Sequence, residues 1–380
     1  MNFDDKSGLL IEFLIVIVIL TLTTFLGFGD GAQPLEFEKP ESTDIVICQN
    51  CVYDDISEGI SAAGKDDTVF IKPGTYEEDD YVSISNPGIN IVGAGTEKVI
   101  IDRSGYTGYG IHVGGVNNIS LKGFTIKNTK GSDVSYGLKI HNVDGLMIKG
   151  VKSTNNDKSG IDLNDVRNAK LINIKSENNG AVGIALTTNI YSQYITENIE
   201  IKNATLKENG WGGFAVWPAS DSVKDVSINS SKFINNASGL YTGNYTNPIG
   251  LNVKGSSFEQ NGIQISDADK IKGLKITNTE GEVGIKLGNS NYIPSKILIE
   301  DNLIDNINDR NNKGGTGDAQ GIFINSGKNI SIIGNEINDI EAQDSGPDVN
   351  QDYPSAKGVL INNSAHNATV QNVKLAQNNI

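Results

Sequence analysis

The sequence predicts an all-β solenoid of about eleven coils, and three observations lead there. First, short segments in which Gly opens an apolar-x-apolar alternation recur along the chain: GIHV at 110, GLKI at 137, GIDL at 160, GIAL at 183, GFAV at 213, GLYT at 239, GIQI at 262, GIKL at 284, GIFI at 321 and GVLI at 358. Second, a different pattern runs out of phase with it, as in ISLKGFTIKN, LMIKGVKSTN, KLINIKSENN and IEIKNATLKEN, where a short strand meets a turn residue and an apolar position follows. Third, Gly is frequent (43 of 380 residues) and aromatic residues are few (7%), a composition suited to short strands and tight turns.

Alternation with period two means strands with one inward face. A unit near 23 residues with two or three such strands cannot bury that face alone, but stacked units can. Ile111, Leu138, Ile161, Ile184, Phe214, Leu240 and Ile263 should form one internal column. The turn residues Gly123, Gly150, Asn173, Asn203, Ser230, Gly255, Asp301, Gly334, Asn278 and Asn372 suit left-handed backbone angles, and stacked Asn amides can bond from coil to coil. Eleven coils at roughly 4.8 Å give a rod about 50 Å long.

The chain divides into a short tail (1–7), an apolar segment (8–28), a polar linker (29–43) and the solenoid (44–380). The apolar segment, GLLIEFLIVIVILTLTTFLGF, has one charge, Glu12. At 1.5 Å per residue a helix of this length spans roughly 31 Å, the thickness of a bilayer core. The preceding MNFDDK lacks a positive n-region and Asp30 spoils the small-residue cleavage signal, so the segment reads as a retained membrane anchor, with the bulk of the chain outside the cytoplasm. KSGLLIEF also resembles the archaeal prepilin-type (class III) signal, which would make the protein pilus-like or associated with an S-layer.

Acidic residues outnumber basic ones 46 to 31, for a net charge of −15. That excludes a nucleic-acid partner, which calls for a basic surface. The two cysteines form Cys48-Gln-Asn-Cys51. A redox CxxC needs a βαβ context and a zinc site needs a second ligand pair, and both are missing. A small structural disulfide in an oxidising compartment is the expectation.

With the repeat established, the chain resembles the right-handed parallel β-helix proteins of the pectin-lyase-like superfamily. The stretch ISEGISAAGKDDTVFIKPGTYEEDDYVSISNPGINIVGAGTEKVIID (56–102) is similar to the opening coil of that family. The resemblance implies a single-stranded right-handed parallel β-helix with a short N-terminal capping helix. It covers roughly residues 45–380 and says little of function, because the family holds lyases, hydrolases, epimerases, esterases and non-catalytic surface proteins. The polygalacturonase set, the arginine-centred pectate lyase motif and the D-P-H motif of alginate epimerases are absent from this sequence.

Counting two and four residues from each opening Gly gives the outward positions of one sheet. His112, Lys139 and Asp162 should be vertical neighbours about 5 Å apart, with His141 and Asn164 beside them. Two of the three histidines of the chain fall in this cluster. Such a set could serve sugar chemistry: His141 or His112 as base, Lys139 against a carboxylate, and Asp162 as orienter or acid. Trp217, Tyr241 and Gln264 lie further along the same face, where the aromatic rings could stack on sugars. A Lys–Asp neighbour pair is equally what an ordinary solvated sheet face contains.

No metal site is expected in the strands. Asp344, Asp348 and Asp352 crowd one loop as weak candidates for Ca²⁺, the one cofactor entertained. The expected function is therefore a membrane-anchored, extracytoplasmic β-helix that binds a polysaccharide or a cell-envelope partner without catalysis. The alternative is a carbohydrate-active enzyme, a polysaccharide lyase or uronate epimerase, working through the His/Lys/Asp face.

Overall fold

A computed structural model describes residues 36–131, 134–188, 195–217, 223–242, 250–261, 263–266, 269–279, 283–288, 293–308, 319–341, 356–361 and 370–380. Within them each coil of chain contributes strands to three parallel sheets. The first sheet runs from Ile45–Ile47 through Thr68–Ile71 and Asn90–Gly93 to Gly327–Ile333 and Val370–Ala376. The second begins at Val82–Ile84 and Ile111–Gly114 and ends at Ala319–Ile324 and Ala356–Ile361. The third begins at Gly74–Glu77 and Val99–Asp102 and ends at Leu303–Asn308 and Glu336–Glu341. Every strand pairs in parallel with the strand one coil away, and Leu35–Ile380 cluster as one compact unit. The helix Ile56–Ala62 packs against the first strands. It is N-capped by Asp55, whose side chain accepts from the Glu58 amide, and it buries Ile56 and Ile60.

The alternation puts aliphatic side chains inside in vertical files. Ile111, Leu138, Ile161, Ile184, Phe214 and Leu240 are all essentially inaccessible to solvent. Phe233 and Phe258 stack with ring centroids 4.2 Å apart in a neighbouring file. A second file is polar: Asn156 donates through Nδ2 to Asn179 Oδ1 (2.8 Å), and the same bond repeats from Asn179 to Asn209, Asn209 to Asn236 and Asn236 to Asn261. Each amide is satisfied by its copy one coil along, as buried polar groups require.

Two features of the repeat have direct steric causes. A Cβ on Gly137 would stand 2.6 Å from Gly160 O, so the residue that opens each alternation must leave room for the next coil. The turns between the first and third sheets hold positive φ at Gly123, Gly150, Asn173, Asn203, Ser230, Gly255, Asp301 and Gly334, as the sequence suggests; in the last coil Gln377 (φ 56°) takes this place, while Asn372 (φ 54°) stands opposite Asn329 at the entrance to the first sheet. Two further register details differ from expectation. The turn after Lys270–Lys272 is made by Gly273 (φ 61°), while Asn278 lies inside the strand Lys275–Thr279. Ile265, not Ile263, pairs with Leu240 and continues the internal column. Ile263 and Ile265 share a face, and a slip of two residues preserves every inside and outside position, so apolar pattern alone cannot choose between them.

Residues 8–28, which carry the membrane-anchor and prepilin-type expectations, lie outside the described residues. Among those described, no helix is long and apolar enough to cross a membrane.

Candidate functional site

The outward face of the second sheet assembles the predicted cluster. His112 pairs with Lys139 across the ladder, Lys139 with Asp162, Asp162 with Ala185, Ala185 with Ala215, and Ala215 with Tyr241. Two residues on, Gly114, His141, Asn164, Thr187 and Trp217 form the parallel row. Period-two alternation sends all these side chains away from the core, and the parallel register sets them one coil apart.

Asp162 is nevertheless only 2% exposed. Its Oδ1 holds Lys139 Nζ in a close ion pair and accepts from Thr187 Oγ1 at 3.0 Å. Asn164 Nδ2 in turn donates to Thr187 Oγ1 at 3.0 Å. The carboxylate is therefore held by a cation and a hydroxyl, as a buried charge must be. Lys139 Nζ also lies 5.1 Å from the centroid of the Tyr136 ring, and Lys158 Nζ lies 5.4 Å from it.

The two imidazoles lie beside this pair. The rings of His112 and His141 are 5.0 Å apart. His112 stacks on Tyr109 at 5.1 Å, lies perpendicular to Tyr81 at 5.7 Å, and Tyr109 continues to Tyr136 at 6.2 Å. Burial among these rings lowers the pKa of His112, and the nearby His141 and Lys139 charges lower it further. Burial lowers that of His141 as well, with Lys139 acting the same way and Asp165 opposing. Both imidazoles are thus neutral at physiological pH and able to accept a proton. Burial, with help from Asp162 and Tyr109, pushes the Tyr136 phenol up to about 12, so it keeps its proton. Gly114 is part of this arrangement: a Cβ there would run into the imidazole of His141.

Further along the rod the same face carries a second aromatic group. Trp211 and Trp217 lie 4.8 Å apart, and Tyr241 is 5.7 Å from Trp217 and 6.1 Å from Trp211. Trp211 is 51% and Trp217 39% exposed. Between this platform and the ion pair the floor is small and apolar, built from Val182, Ala185 and Ala215.

The sequence reading thus located His112, Lys139, His141, Asp162, Asn164, Trp217 and Tyr241 on one face. It missed Tyr81, Tyr109, Tyr136 and Trp211. Each of these lies just before its strand's alternation begins, where counting from the opening Gly does not reach. Gln264 does not join the row of Tyr241: with Ile265 opposite Leu240, Ser266 stands in that row and pairs with Lys286. Cys48 and Cys51 form the expected disulfide, with Cα atoms 5.2 Å apart. The Ca²⁺ candidates Asp344, Asp348 and Asp352 lie outside the described residues. Among those described, no three His, Cys, Asp or Glu side chains are grouped to hold a metal ion.

Comparison with known proteins bears on the fold. A family model described as "Right handed beta helix region" matches residues 80–249. No curated protein matches the chain in sequence. Among solved structures, the catalytic domain of a GH87 α-1,3-glucanase in complex with tetrasaccharides is similar over 92% of this chain and 71% of its own, at 14% identity and TM-score 0.53. The catalytic unit of a thermostable GH87 α-1,3-glucanase from Streptomyces thermodiastaticus is similar over 88% and 71%, at 12% identity and TM-score 0.53. The A-module of a mannuronan C-5 epimerase from Azotobacter vinelandii is similar over 84% and 92%, at 17% identity and TM-score 0.46. At these identities the likeness is one of fold: the chain is a right-handed parallel β-helix.

Proposed function

We propose that this β-helix is a polysaccharide-acting enzyme of the lyase or epimerase type, working on uronate units at the His/Lys/Tyr face of the second sheet. The observation that carries the reading is the pair of half-buried neutral imidazoles, His112 and His141, set beside a cationic side chain and a protonated phenol. The fold is one that known polysaccharide-acting enzymes use, which supports the substrate class and says nothing of the reaction.

The chemistry follows from the groups. A uronate has an acidic hydrogen on the carbon next to its carboxylate, and a nearby cation stabilises the charge that develops when that hydrogen leaves. Lys139 and Lys158 flank the Tyr136 ring and supply the cation. His141 or His112 takes the proton. In elimination, the electron pair forms a carbon–carbon double bond, the glycosidic C–O bond breaks, and the Tyr136 phenol protonates the leaving oxygen. In epimerisation, a proton returns to the same carbon from the opposite face and no bond to oxygen breaks. Trp211, Trp217 and Tyr241 offer flat faces for sugar units further along the chain.

One observation favours the recognition reading instead. Asp162 already neutralises Lys139, so the face could hold a glycan without turning it over. The test is incubation of the full chain with polygalacturonate and with alginate in heavy water. The ultraviolet absorbance of an unsaturated uronate reports elimination, and deuterium at the epimerised carbon reports epimerisation. His141→Asn is expected to lower either signal about a hundredfold or more. Binding with no product from the wild type would leave a recognition module. Residues 8–28 are the proposed anchor and would hold the rod at the outer surface of a membrane. Recovery of the full chain in the soluble fraction of its host would contradict that placement.

A further inference from the structure

The corner between the first and third sheets carries a feature that the proposed site does not use. Immediately before its turn residues, from Gly123 to Gly273, one row pairs in register as Lys122, Lys149, Lys202, Lys254 and Lys272, interrupted only by Ile172 and Asn229. Two residues past the same turns a second row holds Lys152, Lys175, Lys232 and Lys275, interspersed with Thr125, Thr205 and Ser257. Neither row contains an acidic residue over this span, in a chain of net charge −15.

Three of the in-register neighbours are Lys opposite Lys: Lys122 with Lys149, Lys152 with Lys175, and Lys254 with Lys272. Like charges opposite one another oppose folding. Flanking rows relieve part of this, since Lys152 reaches Glu177 at 3.4 Å and Lys272 reaches Glu300 and Asp301. Among the described residues Lys149, Lys202 and Lys254 form no ion pair. Lys202 and Lys254 are exposed and Lys149 half-buried.

We infer that this lysine corner is a second binding surface, taking an extended acidic polysaccharide laid along the rod. Charge complementarity names a polyanion, and the geometry narrows it. Six coil rises span about 29 Å in a straight line, and one rise is close to the length of one sugar unit, so a glycan with an anionic group per unit meets lysines at matching intervals. The corner is a ridge without arginine, which lacks the fork and the groove that duplex nucleic acid favours. The lysines are separated by small polar side chains and one Ile, with no large apolar group to enter a lipid headgroup layer.

The experiment is equilibrium binding of the full chain to polygalacturonate at a series of salt concentrations, beside a neutral glucan, duplex DNA and anionic lipid vesicles. A triple variant, Lys149→Glu, Lys202→Glu and Lys254→Glu, is compared with a triple Gln variant at the same positions. The Gln variant removes charge with little risk to folding. Affinity for polygalacturonate is expected to fall about tenfold or more in both variants, with a shallower dependence on salt. The Gln variant should turn over a short oligouronate as the wild type does, because none of its three lysines belongs to the His/Lys/Tyr face, so loss of turnover and loss of this surface are told apart. Unchanged affinity in the Gln variant, equal binding of the neutral glucan, or tighter binding of DNA or vesicles at the same salt would each overturn the inference.

Discussion

His112 and His141 illustrate how one side chain is tuned by its surroundings. The His112 ring sits among tyrosines with the His141 ring beside it, and both are partly buried near the Lys139 charge, so the charged form loses hydration and meets a like charge; both effects lower the pKa from 6.5. The consequence for stability has a definite sign. Between each lowered value and 6.5 the unfolded chain binds more protons than the folded one, so the free energy of unfolding falls as pH drops through that window. Denaturant midpoints measured from about pH 8 down to about pH 5 should decline, and the decline should shrink in a His112→Asn, His141→Asn double variant. Activity should follow the same groups, with the acidic limb of kcat/KM lying below the ordinary imidazole value.

Gly114 belongs to the same scale. It adopts ordinary strand angles, and its lack of a side chain matters because the imidazole of His141 occupies the space of a Cβ. Gly114→Ala should leave the melting temperature nearly unchanged, because the ring can rotate away into solvent. It should lower kcat/KM about tenfold to a hundredfold, because the base proposed above is then misplaced. A variant that melts early and keeps full turnover would show that Gly114 serves packing alone.

At the scale of the element, each coil depends on its neighbours for polar satisfaction as much as for burial. Asn209 accepts from Asn179 and donates to Asn236 in the closed interior. Asn209→Ala leaves both partners short of a bond in a place water does not reach. A loss of about 2 to 4 kcal/mol is expected, read by urea unfolding. The aromatic platform can be read out just as directly. The chain has two tryptophans, and both belong to the exposed cluster with Tyr241. The tryptophan emission of the whole protein therefore reports on this platform. Oligosaccharide binding should shift or quench it, and Trp211→Ala should weaken long oligosaccharides while leaving the shortest substrates unaffected.

For the whole molecule, stability is spread along the ladders and little of it depends on the one cross-link. The Cys48–Cys51 disulfide closes a loop of sequence separation 3. A loop that short removes little freedom from the unfolded chain, about 2 kcal/mol by the chain-entropy relation. Replacing both cysteines with Ser should lower the melting temperature by only a few degrees in a domain this large. A collapse of the fold on reduction would mean that the first coil nucleates the rest.

The amino-acid sequence by itself determined the solenoid, its turns and the membership of most rows. Those are consequences of period two, a repeat near 23 residues and the Gly or Asn that a left-handed turn requires, all of which are local. Hence the vertical set His112, Lys139, Asp162 was legible before any coordinate was known. Tertiary structure alone decided which residues from outside the alternation lean into the site, as Tyr81, Tyr109, Tyr136 and Trp211 do. It also decided that Asp162 is enclosed, and that Ser266 rather than Gln264 follows Tyr241. Coils of unequal length leave their register open by steps of two, and apolar pattern is blind to such a step. Only the pairing of one backbone against the next chooses it, and with it the neighbours on which charge, burial and proton affinity depend.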